Sequence, residues 1–184
     1  MSILATHDGP PPWARAMFTL GQEKAAAVAD PPQVSYDLAG QLFLAANGWL
    51  LLSVPNAFVH GLYATIDERG VELPPGKDGG PMNAHISVMK PKEIELLGGA
   101  DKISERGKQF HYTISRLYTV EPSGWPEMSK VWFVRVHSPE LQELRRSYGL
   151  SSLPNDGKHD FHISVAVRRR GVLGRNDNRK GEAA

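Results

Sequence analysis

Cysteine is absent from this 184-residue chain. That excludes disulfides, cysteine nucleophiles and thiolate zinc sites, and it suits a reducing compartment. An excess of charge of one sign is also lacking. Lys+Arg 21 against Asp+Glu 20 leaves a formal charge of +1, which exerts no bulk pull on nucleic acid. Contact with a long duplex, which needs a basic stripe, is therefore not expected, and any phosphate must be bound at a local site. Long apolar runs are missing as well. The best candidate, Trp49–Val54, falls far short of the roughly 18 residues of a membrane span. The start, Met1-Ser2-Ile3-Leu4-Ala5-Thr6-His7-Asp8, has no basic region followed by an apolar core. No signal peptide or membrane partner is expected, and the expected location is cytoplasmic.

What remains is ordinary for a globular protein, at 41% hydrophobic and 22% charged, and the length fits one domain or two small lobes on one core. Pro10-Pro11-Pro12 and Pro31-Pro32 bracket an Ala-rich helix pattern over Trp13–Ala29. Residues 1–44 read as an N-terminal helical appendage, 45–170 as the main domain and 171–184 as a mobile tail. Trp49–Val54 reads as a buried strand. Pro55-Asn56 opens a helix with Phe58, Leu62 and Ile66 as its apolar stripe, ended by Gly70. Residues 71–81, rich in Gly and Pro, read as a loop.

Ala84–Met89 alternates like a strand, and Lys92–Leu97 is a short helix closed by Gly98-Gly99. Gln109–Val120 and Lys130–His137 read as an antiparallel hairpin with a long loop between them. Ser138-Pro139 starts a helix with Leu141, Leu144 and Tyr148 on its buried side. Phe161–Arg168 is the clearest strand pattern in the chain.

One tetrapeptide occurs twice. His85-Ile86-Ser87-Val88 recurs as His162-Ile163-Ser164-Val165, each time after a helix and a polar loop. In a strand, residues i and i+2 share a face about 7 Å apart. His85 and Ser87 therefore point one way, and so do His162, Ser164, Ala166 and Arg168. Two imidazoles flanking one phosphorus can serve an in-line displacement. One takes a proton from the attacking water and the other protonates the leaving oxygen. An unperturbed imidazole titrates near 6.5, which suits both roles. The Ser hydroxyls can donate to the non-bridging oxygens, where charge grows in the transition state. This chemistry asks for no metal and no cofactor, and none is expected.

These residues resemble the 2H phosphoesterase superfamily, in which two His-x-Ser/Thr motifs lie on strands. That group includes RNA 2′,3′-cyclic phosphodiesterases, RNA-ligase-like proteins and phage enzymes that degrade cyclic oligonucleotide signals. Met82–Met89, Lys130-Val131-Trp132-Phe133 and Phe161–Arg168 are most similar to a phage "Swiss army knife RNA repair-like" subgroup. The resemblance covers roughly residues 45–170 and leaves the first 44 unplaced. It implies an α+β, bilobal fold with two antiparallel sheets related by a pseudo-twofold around a central cleft, helices outside. It implies catalytic histidines at His85 and His162 and phosphate-binding hydroxyls at Ser87 and Ser164. The implied activity is metal-independent hydrolysis of a nucleotide phosphodiester, either an RNA 2′,3′-cyclic phosphate end or a small cyclic oligonucleotide signal. The alternative is a non-catalytic nucleotide-binding module, a signal sponge using the same cleft.

Further residues are candidate substrate contacts. Arg168 shares parity with His162 and could reach a phosphate, or it is the first of a solvated run, Arg168-Arg169-Arg170. His111-Tyr112-Thr113 is a third His-x-Thr match, with substrate contact or a solvent-facing strand edge as its two readings. Trp125, on a loop, is the better base-stacking candidate, ahead of Tyr118 and of Trp132, which reads as core. Asp160 beside His162 gives only two metal-capable side chains, fewer than a metal site needs.

Overall fold

The computed structural model describes residues 38–76, 80, 82–122 and 125–171. The expected helix over Trp13–Ala29 and the tail beyond 171 lie outside them. Seven strands run through the described chain: β1 (Leu38–Leu44), β2 (Leu50–Ser53), β3 (Val71–Glu72), β4 (His85–Met89), β5 (Gln109–Val120), β6 (Met128–His137) and β7 (Phe161–Arg169). Three α-helices punctuate them: α1 (Asn56–Tyr63), α2 (Pro91–Leu96) and α3 (Pro139–Ser147). Among the described residues no helix is long and apolar enough to cross a membrane.

The class is α+β, with all neighbouring strands antiparallel in the order β3-β7-β6-β5-β1-β2-β4. Hydrogen bonding joins the seven into one sheet, where two were expected. The link is β1, which divides its length between two neighbours. Leu38–Gln41 pairs with Gln109–Tyr112 of β5, and Leu42–Leu44 pairs with Leu50–Leu52 of β2. Gly40 sits at that division. A Cβ there would collide with the Ser53 carbonyl oxygen, so only glycine lets β2 come this close. Residues 38–44 thus belong inside the sheet and not to an N-terminal appendage. Val71–Glu72, expected in a loop, adds a short edge strand on β7.

The sheet curls. β4 ends one side of the strand order, yet its residues come within 8 Å, Cα to Cα, of β7 near the other side. Inside the curl lies the main core, which includes Leu42, Leu52, Ile86, Val134, Phe161 and Ile163. α1 packs on β7 and brings Phe58, Val59 and Leu62 to the core. It stops at Tyr63, short of Gly70, and Ile66 packs on the core from the following turn. α3 brings Leu141 and Leu144, and its Ser138 cap accepts from the Leu141 N–H (3.1 Å) as the sequence predicts.

Candidate active site

Each His-Ile-Ser-Val segment keeps its strand alternation through the serine. The isoleucines are buried, and Ser87 and Ser164 are half-buried. His85 is half-buried and His162 exposed. Both segments then break register at the same place. On β4, Ser87 pairs with Leu51 and Met89 with Leu50, leaving Val88 as an extra residue. On β7, Ser164 pairs with Phe133 and Ala166 with Trp132, leaving Val165 as the extra residue. These are β-bulges, which bend a strand and re-aim its side chains.

The two histidines share a second local feature. His85 Nδ1 lies 2.8 Å from the Asn83 carbonyl, and His162 Nδ1 lies 3.0 Å from the Asp160 carbonyl. A carbonyl only accepts, so each Nδ1 carries the proton. Each Nε2 then holds a lone pair when the ring is neutral and a proton when it is charged. That is the donor–acceptor pair an acid/base couple requires.

Each anchoring carbonyl is itself held. Asn56, at the start of α1, donates to Asn83 Oδ1 (3.0 Å) and accepts from the Ala84 N–H (2.8 Å). Asp160 pairs through its carboxylate with Arg135 Nε at 3.5 Å, and Arg135 is the cross-strand partner of His162. On the β4 side, Val88 is out of ladder register, and its carbonyl accepts from the buried Arg145 guanidinium at 2.6 Å. Arg145 also pairs with Glu93 (2.7 Å) and donates to the Ser151 carbonyl (2.7 Å). Burial pushes the Glu93 carboxyl up. The Arg145 hydrogen bond and the Lys90 backbone N–H outweigh burial and hold it below its ordinary 4.5.

An aromatic row extends from His162 across the same face. The Phe133 ring meets His162 edge-on at 5.8 Å between centroids, and Tyr118 stacks on Phe133, also at 5.8 Å. Two guanidiniums lie over Tyr118, Arg135 at 4.5 Å and Arg116 at 5.1 Å from its centroid. Trp125 packs on Met128, Val131 and Val167.

The remaining sequence candidates sit elsewhere. The Val165 bulge reverses parity, so the expected common face of His162, Ser164, Ala166 and Arg168 ends at Ser164. Ala166 is fully buried against the core. Arg168 lines up with Lys130 on the opposite side, where Glu68 pairs with both (3.3 Å and 2.6 Å) and Ser129 Oγ accepts from Arg168 Nε. His111 is tied to the start of α3. Its N–H donates to Glu140 at 2.7 Å, and its Nδ1 lies 3.2 Å from the same carboxylate. Trp132 is buried, as its strand pattern predicts.

Phe133 and Arg135 escaped the sequence reading. Apart from the place of Phe133 in the stretch Lys130-Val131-Trp132-Phe133, strand parity carried the signal for them, since both share the face of Val131, and without the register nothing tied that face to His162. Among the described residues no group of three or more His, Asp or Glu side chains stands together as a metal site would need.

Residues 48–173 match the family model described as 2H-SAK: Swiss Army Knife, 2H phosphoesterase domain. No curated protein and no solved structure matches the chain.

Proposed function

Since the chain belongs to the 2H phosphoesterase superfamily, whose membership supports a phosphodiesterase-type activity in general, we propose that it hydrolyses a nucleotide phosphodiester without a metal. The substrate in this reading is an RNA 2′,3′-cyclic phosphate end or a small cyclic oligonucleotide. His85 and His162 act as the acid/base pair, with β4 and β7 as halves of a pseudo-twofold cleft. One neutral Nε2 takes a proton from water as its oxygen bonds to phosphorus. The other, protonated Nε2 gives its proton to the leaving oxygen as the P–O bond breaks. The reaction leaves the two rings with exchanged protonation, which solvent resets. Ser87 and Ser164 donate to the non-bridging oxygens, where negative charge accumulates.

The observation that carries this reading is the repeated geometry of the two segments: the same tetrapeptide, bulge position and Nδ1 anchor on two strands lying side by side. Strand histidines with no shared task give no reason for all three to coincide. Trp125, packed on Val131 and Val167, is proposed as a substrate contact. Arg168 and His111 are left out of the proposed contacts, because Glu68 and Glu140 already engage them.

The test is hydrolysis of 2′,3′-cyclic nucleotides and cyclic dinucleotides by the full chain, with product analysis. Removing either acid/base partner by His85→Ala or His162→Ala is expected to lower kcat about 10²–10⁴-fold. Unchanged turnover in both variants overturns the proposal. Activity is expected to survive EDTA, and loss that added zinc restores counts against the metal-free mechanism.

A further inference from the structure

The proposed acid/base pair and the two serines account for one phosphate, but the face they stand on carries more charge than one phosphate uses. Arg116 and Arg135 both lie over the Tyr118 ring, which is linked to His162 through Phe133 by two ring contacts of 5.8 Å. That is further than the oxygens of a phosphate at His162 extend. A cation held over a ring spends no N–H donor on an oxygen, and the donor fork of a guanidinium matches phosphate oxygens. Among the described residues no carboxylate pairs with Arg116. Arg135 has one carboxylate partner, Asp160, at 3.5 Å through Nε, in a pair whose side chains are 51% and 50% exposed. Elsewhere in the fold, by contrast, Arg145, Arg146, Arg168 and Arg169 each hold a carboxylate at 3.3 Å or less. The positive charge left uncompensated on this face therefore collects beside the aromatic row.

Resting on the phosphodiesterase reading, we infer that Arg116 and Arg135, both over the Tyr118 ring, hold a second, non-scissile phosphate of the substrate, with Phe133 and Tyr118 lining the space between the two phosphates. The preferred substrate class is then a nucleotide carrying two phosphates one nucleoside apart, bound more tightly than a mononucleoside cyclic phosphate. A linear RNA end and a cyclic oligonucleotide both supply that spacing. The near-zero net charge agrees with a two-phosphate ligand held by a small basic cluster.

Binding to the full chain, measured by calorimetry, separates this inference from catalysis. The probes are adenosine 3′,5′-bisphosphate, adenosine 3′-monophosphate and cyclic di-adenylate. The bisphosphate is expected to bind about tenfold or more tightly than the monophosphate, as a charged hydrogen bond implies, and the preference should weaken with salt. Arg116→Ala is expected to bring the ratio toward one, and Arg116→Lys to restore part of it. Loss of affinity for cyclic di-adenylate in Arg116→Ala would extend the subsite to cyclic substrates. Retained affinity would assign it to linear ends. An equal affinity for mono- and bisphosphate in the wild type, or a ratio that Arg116→Ala leaves unchanged, overturns the inference. A preserved preference with no hydrolysis of cyclic di-adenylate or of RNA 2′,3′-cyclic phosphate ends overturns the phosphodiesterase reading and leaves the subsite standing.

Discussion

The charge of Arg145 is nearly sealed from solvent, with 1% of its side chain exposed. Its guanidinium ties three backbone or carboxylate groups from separate parts of the chain: the Val88 carbonyl of the bulge, the Ser151 carbonyl and Glu93. Removing such a group leaves its partners uncompensated. Arg145→Met strands a half-buried carboxylate and two carbonyls, so it is expected to cost about 3–5 kcal/mol. Urea unfolding of the full chain measures this. A loss below about 1 kcal/mol would show that solvent reaches Glu93 freely and that the clamp on β4 is weak. The double variant Arg145→Met with Glu93→Leu removes the stranded charge and should recover part of the loss, because replacing both members of a buried pair is less harmful than breaking it.

Among the elements, the decisive ones are the bulged strands and the divided strand β1. A Cβ on Gly40 must push β2 away from β1, since it meets backbone that cannot rotate aside. Gly40→Ala is therefore expected to destabilise by about 1–3 kcal/mol. It should also lower activity, because Ser53 beside it is the cross-strand partner of His85. A variant with wild-type stability and turnover would mean that β1 and β2 separate at no cost. The same elements show what the sequence could and could not announce. His85, Ser87, His162 and Ser164 were legible because alternation alone orients a strand. The faces of Ala166 and Arg168 were not, because a one-residue bulge reverses parity without leaving a composition signal. β1 escaped because Leu38–Leu44 contains glycine and no β-branched residue. Arg145 escaped because a charge on a helix reads as solvated until the fold wraps Glu93 and Val88 around it.

For the whole molecule, two sets of groups bound the pH range in which the fold keeps its full stability. At the acid end, the Tyr148 hydroxyl holds Glu105 below 4.5, and the His111 backbone N–H does the same for Glu140. Glu93 is lowered by Arg145 and Lys90 against the upward push of burial. Each lowered carboxylate contributes stability that is full above its unfolded value and is lost as pH falls through its folded value. At the alkaline end, burial raises Tyr112 from 10.0 to about 12. Its contribution is full below the unfolded value and is lost between these two numbers, as the buried phenol is forced to ionise. Tm is therefore expected to be level between about pH 5 and about pH 9 and to fall on both sides. Glu93→Gln should flatten the acid limb and Tyr112→Phe the alkaline one, each leaving the opposite limb as it was. Tyr112 lies on β5 beside β1, at the join between the β2–β4 end of the sheet and the rest. Its ionisation therefore strikes the pairing of β5 with β1. The alkaline fall in Tm should therefore ease in Tyr112→Phe, and an alkaline limb unmoved by that substitution would place the weak point elsewhere.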